Sequence, residues 1–157
     1  MIENRARTDL GESPSDLLRL CPIHAPTPLI ALPRLAAALG VASILAKDEG
    51  RRPPGSFKAL GGVHAGLRAL ARASGRSVKN LLDPANRAGA LPTLVCASDG
   101  NHGLAVAAAA RLAGAKARVF LPDIAPQERI ARILAKGAEV VRVNGTYDEA
   151  ARAAALF

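Results

Sequence analysis

The 157-residue chain predicts an α/β fold, a parallel sheet flanked by helices. Two observations lead there. Short apolar runs alternate with longer segments whose apolar residues recur at helical spacing. Proline and glycine stand where those helices would start and stop. Alternating strands and helices favour parallel pairing through right-handed crossovers. In such a sheet, ligands gather beyond the carboxyl ends of the strands, where helices begin.

Residues 1–24 read as a leader, polar and irregular to about residue 20, and residues 25–157 as the α/β domain. Ala25-Pro26-Thr27-Pro28-Leu29 is stiff and extended, because each proline restricts the residue before it. Pro33 to Leu39 is a short helix, with Pro33 suited to its first turn and Gly40 to the residue past its end. Ser43 to Lys47 is a strand and Asp48 to Gly55 a loop. A helix runs from about Ser56 to Ser74, capped by the Ser56 hydroxyl and stopped by Gly75. Val78 to Pro92, broken by Asp83-Pro84 and Gly89, is a loop with one helical turn. Thr93 to Ala97 is a buried strand, Ser98 to Gly103 a polar turn, and Leu104 to Leu112 a helix apolar almost all round, which must be covered on several sides. Lys116 to Leu121 is the next strand. Pro126 to Lys136 is a helix with Glu128 in its first turn and Gly137 beyond its end, and Glu139 to Val143 is a further strand. Thr146 and Glu149 have capping-box spacing and open a helix that is still running at Phe157.

The charge balance is 21 basic against 13 acidic residues, a formal +8, which raises the question of nucleic acid. The arginines are scattered, and aromatic residues, at 3%, are too few to interleave a basic patch and stack bases. The basicity therefore reads as a solvated surface, and neither nucleic acid nor membrane is expected as a partner. No run reaches the roughly 20 apolar residues of a membrane span, and the amino terminus lacks the apolar core of a signal peptide. Cys21 and Cys96 are the only cysteines, read as reduced structural thiols of a cytoplasmic protein. No histidine–cysteine spacing resembles a metal site.

Two stretches hold chemistry. In Pro54-Gly55-Ser56-Phe57-Lys58-Ala59-Leu60-Gly61-Gly62, Lys58 falls in the first turn of an apolar helix. The helix dipole opposes its charge there, and burial would lower its pKa further. A neutral, accessible amine suits a nucleophile that condenses with an aldehyde. The plain alternative is a surface lysine. Gly61 and Gly62 fit close helix packing better than ligand contact. In Ser98-Asp99-Gly100-Asn101-His102-Gly103, the two glycines would let the backbone approach a ligand, and unpaired N–H groups at the helix start could hold a carboxylate. Asn101 offers a donor and an acceptor, and Asp99 is a candidate general base. The plain alternative is a strand-to-helix turn in which Asp99 caps and Asn101 takes a left-handed conformation. Lys47, Asp48 and Glu49 read as a solvated strand end, and His24 and His64 are isolated.

Taken together, Ser56-Phe57-Lys58 and Gly100-Asn101-His102-Gly103 resemble the tryptophan-synthase-beta-like (fold type II) pyridoxal-phosphate enzymes, which include threonine and serine dehydratases, threonine synthases and cysteine synthases. Thr27-Pro28-Leu29 and Lys47-Asp48-Glu49 fit that group. The fuller wording of both motifs, with Gly-Ala-Glu-Val-Val-Arg-Val at Gly137 to Val143, is most similar to the diaminopropionate ammonia-lyases. The resemblance implies pyridoxal 5'-phosphate held by Lys58, with Asn101 on the oxygen of its pyridine ring. It implies a small amino-acid substrate whose carboxylate meets Ser98 and the turn from Asp99 through Gly100 and Asn101 to His102. Asp99 would be the base for the D-isomer and Lys58 for the L-isomer, and the full-length enzyme would be a homodimer. The implied reaction converts 2,3-diaminopropionate to pyruvate and ammonia. A threonine/serine dehydratase-like lyase, a non-catalytic ligand-binding or interaction fragment, and a basic nucleic-acid binder are the competing readings.

That family also carries a second domain and a glycine-rich loop around the cofactor phosphate. The only adjacent glycines here are Gly61-Gly62. The chain is therefore expected to be an amino-terminal fragment lacking the carboxy-terminal part of its domain, with weak cofactor retention and little or no activity. Its last helix and one sheet face are expected to need a partner surface.

Overall fold

The computed structural model describes residues 19–86, 89–98 and 100–157. The leader to residue 18, and Asp99, lie outside the described residues. The elements are β1 (Leu29–Ala31), α1 (Pro33–Leu39), β2 (Leu45–Lys47), α2 (Lys58–Ser74), α3 (Val78–Leu82), β3 (Leu94–Ala97), α4 (Asn101–Ala113), β4 (Ala117–Pro122), α5 (Gln127–Leu134), β5 (Glu139–Val143) and α6 (Tyr147–Ala155). Single 3₁₀ turns occur at Glu49–Arg51 and Pro84–Asn86.

The central sheet is parallel in the order β3–β4–β5, as the alternation of strands and helices requires. The amino-terminal pair departs from that expectation. β1 and β2 form a separate antiparallel sheet, with Ile30 opposite Ala46. The chain passes through the seven-residue α1 and doubles back, so that Leu29 faces Lys47 and Ala31 faces Leu45. The Val78–Leu82 segment is a helix capped by Ser77, whose hydroxyl accepts the N–H of Asn80.

The core has two parts, and α4 belongs to both. On one side Ala105, Ala108, Ala109 and Ala113 pack against Val63, Leu67 and Leu70 of α2 and Val78 and Leu81 of α3. On the other, Ala107 and Ala110 pack against Val119 and Leu121 of β4 and Ile130 and Ile133 of α5. This explains a helix apolar all round: it lies between a sheet and another helix. A Cβ at Gly62 would fall 2.6 Å from the Cβ of Ala105, and one at Gly66 would fall 2.7 Å from that of Ala109. Close packing is thus the use of Gly62, as expected, but not of Gly61, which has nothing within 4 Å. The opposite face of the sheet, expected to lie open, carries α6 against β3 and β4. There Phe157 stacks under the Arg118 guanidinium at 3.9 Å and meets Phe120 at 6.2 Å. α6 closes at Ala155, before Phe157.

Candidate active site

Lys58 opens α2, and Asn101 opens α4 just beyond the carboxyl end of β3. Because α2 lies on α4, both starts come to the same edge of the sheet. Lys58, Phe57, Ala97, Ser98, Asn101, His102 and Tyr147 line one hollow of about 490 Å³. A second hollow, of about 340 Å³, shares Asn101 and is bordered by Gly100, Arg129 and Arg132.

Lys58 corrects one expectation. It is exposed, not buried, and its ammonium lies 5.5 Å over the ring of Phe57, itself 61% exposed. The expected burial of this side chain is therefore not found. The cap differs too: α2 has no side-chain cap, and Phe57 occupies the cap position in helical conformation. The Ser56 hydroxyl instead accepts the N–H of Lys58 at 3.3 Å, bracing the loop two residues earlier.

The loop after β3 is organised by Ser98. Its side chain is 4% exposed, and its oxygen accepts the N–H of Gly100 at 3.1 Å and of Gly103 at 2.8 Å. The two glycines have different uses. A Cβ at Gly103 would lie 2.8 Å from Val119 Cγ1, so Gly103 lets α4 sit on β4 and has no room for a ligand. A Cβ at Gly100 would find only Arg129 Nη1, at 4.0 Å, so its backbone is open to the second hollow. Asn101 and His102 are exposed at the hollow. No described residue other than glycine has a positive φ, so Asn101 is the first residue of a helix rather than a left-handed turn residue. His102 Nδ1 lies 3.6 Å from where a Cβ on Gly62 would be, so it also bridges toward α2.

Sequence reasoning missed the polar network under the loop that leads to Lys58. Lys47, Asp48 and Glu49 are not merely a solvated strand end. Lys47 Nζ donates to the carbonyl of Thr27, and the Thr27 hydroxyl donates to Glu49 Oε1 at 2.7 Å. Arg52, 5% exposed, donates to Glu49 through Nε and through Nη2, the latter at 2.9 Å. The hydrogen bond from Arg52, and after it that from Thr27, holds the Glu49 carboxyl down to about 2. Arg52 is pushed upward by the same pairing. Elsewhere, burial raises the Cys96 thiol to about 11, in keeping with a structural cysteine. Burial, then Arg68, lowers His64, whose Nε2 is buried without a partner.

This donor set fits one side of a pyridoxal ring: an amine for an aldehyde, an amide for a ring oxygen, and, since Ser98 takes the N–H groups of Gly100 and Gly103, those of Asn101 and His102 at the helix start for a carboxylate. The hollow is of ligand size. Among the described residues no glycine run borders it.

The model of the family described as pyridoxal-phosphate dependent enzyme matches residues 20–157. Diaminopropionate ammonia-lyase of Escherichia coli K12 is 38% identical over 132 residues, covering 82% of this chain and 33% of that protein. A threonine synthase of Synechocystis is 35% identical over 126 residues, covering 79% of this chain and 28% of that protein. The holo crystal structure of the E. coli ammonia-lyase superposes with a TM-score of 0.80 at 33% identity, covering 94% of this chain and 40% of that one. The chain thus spans about one-third of the length of the curated relatives it matches. Its fold and its motif order agree with a family match that covers more than half of its length, and the chain belongs to the pyridoxal-phosphate dependent enzymes.

Proposed function

We propose that this chain forms the amine-bearing side of a pyridoxal-phosphate-dependent lyase site that releases ammonia from 2,3-diaminopropionate to give pyruvate and ammonia. One observation supports the reading above the rest: Lys58 and the Ser98–Asn101–His102 loop border a single hollow although some forty residues separate them. When bound, pyridoxal phosphate supplies the electron sink that acidifies the substrate's α-hydrogen and lets the β-amino group leave. The chain's own groups bind and move protons. Lys58 anchors the cofactor through its amine, and when released it takes the proton at Cα of the L-isomer. Asn101 hydrogen-bonds the ring oxygen, and the N–H groups of Asn101 and His102 at the start of α4, on the loop that Ser98 braces, hold the substrate carboxylate. Asp99 is assigned the matching proton transfer for the D-isomer.

Similarity to a human serine dehydratase-like protein, 33% identical over 129 residues, supports a second reading, a threonine/serine dehydratase-like lyase acting on hydroxy-amino acids. Formation of 2-oxobutyrate from threonine distinguishes it from pyruvate formed from diaminopropionate. Both activities, and a homodimeric assembly, are proposed for the protein in which further walls face the hollow. The 157 residues alone are expected to hold the cofactor weakly and to turn over little substrate.

The test is site-specific. The chain is incubated with pyridoxal phosphate, reduced with borohydride and mapped by peptide mass spectrometry. A pyridoxyl group on Lys58, in preference to Lys47, Lys79, Lys116 and Lys136, is expected, and Lys58→Ala removes the visible absorption of the bound cofactor. A folded chain labelled evenly over its lysines would overturn the reading.

A further inference from the structure

Arg52 is the one charged side chain buried among the described residues, and the chemistry above gives it no task. Resting on the reading of Lys58 as the cofactor-holding amine, we infer that Arg52 is a positioning residue for Lys58, acting through the loop between them.

Two segments, His24–Ala25 and the turn at Glu49, meet on this guanidinium. Nη1 donates to the carbonyl of Ala25 at 2.9 Å and lies 3.1 Å from His24 Nδ1. Nε and Nη2 grip the Glu49 carboxylate, which also accepts from Thr27. The carbonyl of Arg52 in turn accepts the N–H of Gly55, closing the bend that leads to Ser56 and the N–H of Lys58. The far side of the same bend is held by Arg132, which donates to the carbonyl of Pro54 at 3.1 Å.

This anchoring matters because α2 has no side-chain cap of its own. Its first turn, which carries Lys58, takes its direction from the incoming loop. Lys58 is also exposed, and the Phe57 ring under its ammonium is itself 61% exposed, so no surrounding core selects its orientation. The loop restricts where that side chain starts, and Arg52 restricts the loop. Lysine would not substitute. A planar guanidinium serves a carboxylate on one edge and a carbonyl on another at once, whereas an ammonium is a single point charge.

The experiment uses the borohydride trapping above, scored as the ratio of labelling at Lys58 to labelling at Lys79, Lys116 and Lys136, which lie outside this network. Arg52→Lys and the milder Thr27→Val are compared with wild type at a temperature where circular dichroism shows each variant folded. The ratio is expected to fall about tenfold in Arg52→Lys, since small misplacements of a reacting group are costly, and less, in the same direction, in Thr27→Val. A folded variant that has lost the network yet keeps the wild-type ratio overturns the inference. Should Arg52→Lys not fold, Thr27→Val decides alone. If wild type itself shows no preference for Lys58, the functional reading fails and takes this one with it. That outcome is recognisable before any variant is made.

Discussion

Gly61 and Gly62 are neighbours with opposite expectations. Gly61 meets nothing within 4 Å, so Gly61→Ala should gain about 0.5–1 kcal/mol of stability from helix propensity alone. Gly62→Ala gains the same term but drives a methyl to 2.6 Å from the Cβ of Ala105. Overpacking of that kind costs about 1–3 kcal/mol, which outweighs the gain. Urea midpoints should therefore move in opposite directions for the two variants. Glu49 gives a pH test. Its folded pKa is lowered from the ordinary 4.5 to about 2, so the stability it contributes is full above about 4.5 and is lost as pH falls toward 2. Melting temperatures of wild type and Glu49→Gln should differ at neutral pH and converge across that window. Lys58 and Asn101 were legible in the sequence because a motif carries them. Arg52 was not: Glu49 stands only three residues before it, but its partners at 24 and 25 reach it through the antiparallel return of β1 on β2.

The helices whose ends are punctuated were the ones read correctly. α1 begins at Pro33 and ends before a left-handed Gly40, as its residues dictate. β5 and the capping box of α6 likewise lie where local chemistry puts them. β1 escaped notice because three residues flanked by prolines show no alternation, and its partner lies across a helix. The Thr146 cap has a measurable share in the site. Its hydroxyl accepts the N–H of Glu149, the Glu149 carboxylate accepts the N–H of Thr146, and the next residue, Tyr147, lines the hollow. Thr146→Ala should cost about 1 kcal/mol in chemical denaturation. It should also loosen the Tyr147 wall, seen as faster quenching of tyrosine fluorescence.

The molecule as a whole is built around α4, which meets β3, β4, α2, α3 and α5. Its small side chains let a helix and a sheet close on it from two sides. The net charge of +8, which first suggested nucleic acid, comes from basic residues scattered along the chain rather than gathered in one run. The alanine and glycine seam between α2 and α4 has a mechanical consequence. Lys58 stands at the tip of one helix and Asn101 at the tip of the other, so the two packed rods act as the arms of a caliper. The gap at its jaws is set by the thickness of the Gly62–Ala105 and Gly66–Ala109 contacts. A methyl added at Gly66, about two helical turns along α2 from Lys58, would serve as a shim. It should weaken pyridoxyl trapping at Lys58 while leaving every lining side chain unchanged, so the gauge of the site is written into its core.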